Sequence, residues 1–539
     1  MTEIQHLSAQ VTLSNKGLIH TDTLITLSKD LKVSDVLPTQ ESEIVTRLER
    51  HLGDTEASYF LPSRESGVND MYLHLGCHGP IALVERPRIC LIWAVLRLRH
   101  PLLASKIEMR DYNDIKFIYD TPQSVEAVLA DADANLEQST KNGQGLIESY
   151  LNGPRTLSTE RLSYLMFSQT PLGDSSVLGN TTQNYDFLIC ATHFLGDGMA
   201  LHQFANDLFG LLGGSLTNGE LSALLESEWV LRCVTKLAAL PASMEERFPP
   251  LTTSRFRHAA HAVDFDLNQR KLIGGHAFPR TSQLPRSTIV PTVSFDPERT
   301  TKMLRNCKAR GVSISSALFA ICNVAWARTH SKDWELPMMM YSALNMRSYL
   351  AANKSLNDSY WFLAIGYFNI VLPSFLPRNA AEIPSTFWHR ARSAKTQSTN
   401  AVKSAMIIPR AREMSRKRGE QARRWAKEDD DRAAGVFTKS APVASVPQSF
   451  KVPPSKALIG LSLLGNLDGI YKHSSFPNIQ LHTLTTGSRQ RSGGMLLFGY
   501  TFVGKLWVSL GYDQNGFEKD TIERYWSNVL AAIDELLVA

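Results

Sequence analysis

The sequence predicts an α/β protein built of two lobes, and three observations lead there. Its 539 residues exceed what one ordinary hydrophobic core organises, so more than one domain is expected. Apolar runs of strand length alternate with helical periodicities along the chain, the pattern of packed helix and sheet layers. A proline-rich, basic and poorly patterned stretch, residues 241–287, separates an N-terminal half (1–240) from a C-terminal half (288–539) in which the same rhythm starts afresh.

In the first half, residues 1–60 are polar and irregular, with a helix expected near Glu41–Leu52. Met71–Leu75 alternates like a strand. Arg86–Arg99 predicts an apolar helix that His100-Pro101 ends, because the residue before a proline is pushed out of the helical region. Strands are expected at Ser105–Met109, Lys116–Tyr119 and Arg161–Ser168. The run Tyr185–Thr192 is the best strand of the chain. After it come His193-Phe194-Leu195-Gly196-Asp197-Gly198, and then a new period: Leu201, Phe204, Ala205, Leu208, Leu211 and Leu212 recur at helical spacing until Gly213-Gly214. Leu221–Leu240 is also helical in pattern.

The second half predicts a strand at Thr288–Phe295 and helices at Pro297–Ala309 and Ala317–Arg328, the latter with Ser313 or Ser315 as N-cap. Strands follow at Met338–Ala343, Tyr367–Leu372, Ala457–Leu464, Met495–Phe502 and Lys505–Tyr512, and an amphipathic helix at Thr521–Val538. The segment Arg410–Arg432 mixes many arginines with Glu428-Asp429-Asp430-Asp431. It is expected to be a solvated helix or loop with self-compensating charge, the alternative being a phosphate-binding edge.

Composition narrows the function. Apolar content of 43% and charged content of 20% suit a globular chain. A net charge of +5 does not call for nucleic acid but favours a small anionic ligand. The six cysteines are scattered without a Cys-x-x-Cys pair, as for thiols of a reducing compartment. The start has no signal-peptide pattern and no apolar run reaches membrane-spanning length, so a cytoplasmic protein is expected. A monomer is expected as well. Gly499–Leu506 nearly spells a phosphate loop but lacks its Ser/Thr and is followed by a strand. There is no Gly-x-Ser-x-Gly elbow and no His-Glu-x-x-His, and His258 and His261 lack a third ligand, so no metal is expected.

The chemistry therefore centres on His193. It leaves the end of a core strand just before a helix, a rigid place for a base whose pKa lies near neutrality. At this point His193-Phe194-Leu195-Gly196-Asp197-Gly198 resembles the HxxxDG signature of the CoA-dependent acyltransferase superfamily. That superfamily includes chloramphenicol acetyltransferase, the plant BAHD enzymes, trichothecene acetyltransferases and peptide-synthetase condensation domains. Further matches occur in the superfamily's order. His100-Pro101-Leu102-Leu103 is similar to its HPLL helix end, and Gly311–Leu318 to its GVTxxxAL helix start. Asn345-Met346-Arg347 resembles NxR, Gly366-Tyr367-Phe368-Asn369 resembles GYFGN, and Ser462–Leu467 resembles the SNLG loop. The plant enzymes' DFGWG loop is absent, with Gly493–Gly499 in its place, which puts the chain nearer the microbial and fungal alcohol acyltransferases.

The resemblance implies two chloramphenicol-acetyltransferase-like lobes with a solvent channel between them and His193 at mid-channel. It implies no permanently bound cofactor. Acyl-CoA, acetyl-CoA above all, would be co-substrate, and a hydroxyl of a secondary metabolite or glycolipid the acceptor. His193 would be the general base. Asp197 would pair with Arg347 rather than with His193, and Gly196 and Gly198 would allow a tight turn with room for ligand. Ser462, Asn466 and Asn369 are candidates for the oxyanion or substrate contacts, and Trp361, Tyr367 and Trp507 for channel walls. The alternatives are a carrier-protein-dependent acyltransferase or condensation-type enzyme, an N-acyltransferase and, least favoured, a non-catalytic binding protein.

Overall fold

The structure is a computed structural model that describes residues 47–170, 182–235, 239–250, 254–281, 283–351, 359–438 and 455–538. The first half of the helix expected near Glu41–Leu52, residues 41–46, lies outside them. Its last residues form a strand instead, β1 (Arg47–His51).

The first lobe is built on a five-stranded sheet. Its strands are β2 (Met71–Pro80), β5 (Leu136–Ser139), β6 (Ser163–Thr170), β7 (Thr182–Ala191) and β13 (Gln480–Ser488), in the order β13-β2-β7-β6-β5. β7 lies at its centre because Phe187–Ala191 is apolar on both faces and buried throughout. A small sheet, β1 with β3 (Lys106–Met109) and β4 (Ile115–Asp120), flanks this lobe in the order β1-β4-β3.

The second lobe has a seven-stranded sheet: β8 (Thr288–Ile289), β9 (Thr292–Phe295), β10 (Met338–Asn345), β11 (Ile365–Leu372), β12 (Ala457–Asn466), β14 (Met495–Phe502) and β15 (Lys505–Asp513). The order is β11-β10-β12-β14-β15-β8, with β9 also on β15. Helix Ile314–Thr329 forms much of this lobe's core, and Ser313 caps it by accepting from the Ser316 N–H. The strand expected at Thr288–Phe295 is broken into β8 and β9 around Pro291, which has no N–H to give the ladder. The phosphate-loop look-alike is the β14–β15 hairpin, turned by Val503 (φ 47°) and Gly504 (φ 71°).

Two features bear on the expected domain division. Strand β13 belongs to the C-terminal half by sequence but pairs antiparallel with β2, completing the first lobe's sheet. Residues 241–287 are not merely a connection: they contain helix Arg255–Arg270. That helix buries only Phe265 and lies on helix Ile407–Ala433 through Arg410–Asp264 and Lys417–Asp266 ion pairs, so its sequence carries little apolar periodicity. Among the described residues no single helix is long and apolar enough to cross a membrane.

Candidate active site

The end of β7 sets the site. After Thr192 the chain makes one 3-10 turn, His193–Leu195, and runs extended through Gly196. Helix Gly198–Leu212 then begins with Asp197 as its N-cap. His193 Nδ1 lies 3.0 Å from the Gly196 carbonyl oxygen. A carbonyl only accepts, so Nδ1 carries the hydrogen and Nε2 keeps its lone pair. Nε2 has no hydrogen-bond partner among the described residues, and His193 lines a cavity of about 1370 Å³. Burial lowers the pKa of the imidazole, and the Arg418 cation lowers it further. The Asp197 charge and the backbone oppose this without cancelling it. The ring is therefore neutral at neutral pH, with its basic nitrogen free.

Asp197 is turned away from His193. Its carboxylate accepts from the Met199 and Ala200 N–H groups at 3.1 and 3.2 Å and from the Ala364 N–H at 3.0 Å. Arg347 Nη1 donates to both of its oxygens, at 2.8 and 2.7 Å. Arg347 Nη2 in turn donates to the Tyr360 and Phe362 carbonyls. This ion pair fastens the first lobe's helix start to the segment entering β11 of the second.

The cavity is walled by both lobes. Ser462 and Asn369 line it, as do Tyr367 and Gly198. Asn466 does not line it. That side chain is exposed, and its amide oxygen accepts from the Asp468 N–H as the cap of a 3-10 turn and from the Thr501 hydroxyl, so the structure does not bring it together with His193 in the cavity. Trp361 and Trp507 are likewise not channel walls. Trp361 is fully buried against Phe204 in the first core, and Trp507, also buried, donates its indole N–H to the Phe502 carbonyl. Gly196 serves that buried tryptophan rather than a ligand. A Cβ there would stand 2.9 Å from the Trp361 ring, while its φ of −178° is open to any residue.

Sequence reasoning missed several wall residues. Tyr59, on helix Asp54–Ser63, lies against the His193 ring at a centroid distance of 4.4 Å and hydrogen-bonds through its hydroxyl to that of Tyr367. Nothing in its local sequence marks it out. Helix Ile407–Ala433 presents Met414, Arg418, Gln421, Ala422 and Trp425 to the cavity. Their spacing of three, four and seven residues was the available signal, hidden by the dense charge around it. The crossover also contributes, through Leu272, Phe278 and Arg280.

No protein-family model matches the chain, and no curated protein sequence does. Solved structures do match in fold. The trichothecene 15-O-acetyltransferase TRI3 of Fusarium sporotrichioides superposes with a TM-score of 0.68 at 11% identity, over 92% of this chain and 96% of that one. The first condensation domain of the CDA synthetase gives 0.54 at 13% identity, over 91% and 96%. The condensation domain of the monacolin K polyketide synthase MokA gives 0.54 at 10%, over 92% and 98%. The chain thus has the two-lobed chloramphenicol-acetyltransferase-like fold.

Proposed function

We propose that this chain is an acyl-CoA-dependent O-acyltransferase that moves an acetyl group to a hydroxyl of a small molecule such as a secondary metabolite or glycolipid. The observation that carries the reading is the free Nε2 of a neutral His193 on a cavity walled by both lobes. His193 Nε2 takes the proton of the acceptor hydroxyl as its oxygen attacks the thioester carbonyl. The tetrahedral oxyanion collapses, the C–S bond breaks, and the imidazolium returns its proton to the CoA thiolate. Ester and free thiol are the products, and no acyl-enzyme is needed. Ser462 Oγ and the Asn369 amide, both without a protein hydrogen bond among the described residues, are the candidate donors to the oxyanion.

CoA is favoured over a carrier protein by the charge at one end of the cavity. Lys456 and Arg491 precede the parallel strands β12 and β14 at the same end of the sheet, and Arg280 lies against Gly493 beside them. All three are exposed, line the cavity and lack a carboxylate partner among the described residues. Three free cations suit the several phosphates of CoA better than the single phosphodiester of a carrier's arm. The likeness to an O-acetyltransferase supports the same choice. The test is thiol release from free acetyl-CoA with pooled alcohols and no carrier, with intact-mass detection of the ester. Turnover that requires an acyl-carrier protein would replace this reading with the condensation-type one.

A further inference from the structure

The cavity holds one more cation, and it sits close to the histidine. Arg418 projects from helix Ile407–Ala433 with its guanidinium over the Tyr367 ring at 4.7 Å and the Tyr59 ring at 5.6 Å. Tyr59 itself touches His193, so Arg418 stands one ring from the reacting centre.

Its neighbours on the helix are engaged. Arg410 pairs with Asp264, Arg416 with Glu413 and Glu420, Lys417 with Asp266, and Arg423 with Asp54. Arg412 donates to the carbonyls of Glu245 and Pro249. Arg418 has no hydrogen bond or ion pair among the described residues, and its Nε is buried without a partner. Ring faces stabilise the face of a guanidinium but leave its in-plane N–H donors unsatisfied, and a buried unmade hydrogen bond of this kind is costly.

Nothing among the described residues supplies the missing acceptor. Asp197 is the one carboxylate among the described residues that line the cavity, and it is held by Arg347. The Tyr59 and Tyr367 hydroxyls bond to each other, and burial holds the Tyr59 phenol well above its ordinary pKa, so it stays neutral. CoA phosphates do not belong here, since they lie a pantetheine arm away from the thioester that His193 serves. A single planar, singly charged fork matches a carboxylate in both charge and shape.

We propose that Arg418 anchors a carboxylate carried by one of the two substrates, either the acceptor or the acyl group, making this cavity selective for an acidic substrate. The assignment rests on the transferase reading for which molecule bears the carboxylate, though the site itself can be tested by binding alone.

The experiment has two arms, each run on the full chain and on Arg418→Gln and Arg418→Lys, with thermal melting to check that the variants are folded. In the first, calorimetry compares binding of mandelate, cinnamate and hydroxydecanoate with that of their methyl esters. In the second, thiol release from succinyl-CoA is compared with that from acetyl-CoA. An acidic acceptor predicts that at least one acid binds tighter than its ester by about tenfold to a hundredfold. A dicarboxylic acyl group predicts a similar preference for succinyl-CoA. In either case Arg418→Gln abolishes the preference and Arg418→Lys retains part of it. If neither arm shows a carboxylate preference, or if the preference survives in Arg418→Gln, the assignment is wrong. His193→Ala separates the two readings, because it should keep the binding preference while losing thiol release. Acid-selective binding in a wild-type chain that releases no thiol from any acyl-CoA would sink the transferase reading and leave the Arg418 site standing.

Discussion

Asp197 and Arg347 are 150 residues apart in the chain and 2.7 Å apart in space. The carboxylate also caps helix Gly198–Leu212 and accepts from the Ala364 N–H, so one side chain fixes the helix start beside His193 and the approach to β11 together. The pair is thus a fastening between lobes, and the histidine next to it has no acidic hydrogen-bond partner among the described residues.

The two members of that pair should not be equivalent. Asp197→Ala removes the partner of Arg347 and unmakes three bonds from backbone N–H groups, and a loss of about 3–5 kcal/mol is expected. Arg347→Met leaves the carboxylate with all three N–H donors, so a smaller loss, about 1–3 kcal/mol, should follow. Urea unfolding of the two variants checks the order. Equal losses would mean that the backbone donors contribute nothing.

The pH profile follows from the lowered pKa of His193. A base must be unprotonated, so kcat/KM should fall as pH drops through that value, which lies below the ordinary 6.5. Arg418 disfavours the imidazolium, so removing its charge should raise the pKa. In Arg418→Gln the acid limb of the profile should therefore move to higher pH, measured with any acceptor that turns over. A limb that stays in place would mean that the Arg418 charge does not reach the ring.

Gly196→Ala should be harmful for a reason of packing. The new methyl would stand 2.9 Å from the buried Trp361 ring and 3.2 Å from the Ala200 Cβ. Overpacking of this kind costs about 1–3 kcal/mol. Because the Gly196 carbonyl holds His193 Nδ1, a backbone shift should lower kcat along with the melting temperature. A shared Gly196→Ala, Trp361→Leu background tests the cause: the smaller side chain should restore part of the lost activity.

What the sequence made legible was local. The strand into His193, the helix after it and the Asp197-Gly198 turn are encoded within one short stretch, where an apolar run meets a helical period. Arg347 was found through the resemblance of Asn345-Met346-Arg347, and Ser462 and Asn369 in the same way. The misses all depend on contacts made far away in the sequence. Whether an aromatic in an apolar segment faces a cavity or a core depends on what packs across from it, so Trp361 and Trp507 were indistinguishable from Tyr367. Tyr59 reaches His193 from a helix far away in sequence. Strand β13 was missed because a bulge between Leu481 and Thr483 sets its two buried leucines, Leu481 and Leu484, three residues apart, and it joins the other lobe's sheet, a long-range choice that no local period announces.

The central claim is that the His193 imidazole removes the proton from the attacking hydroxyl. Its most direct test is CoA thiol release by the wild-type chain and by His193→Ala, with free acetyl-CoA and a productive alcohol, after both proteins are shown to melt alike. A fall in turnover of about a hundredfold or more at unchanged melting temperature is the predicted result. Full turnover by His193→Ala would contradict it.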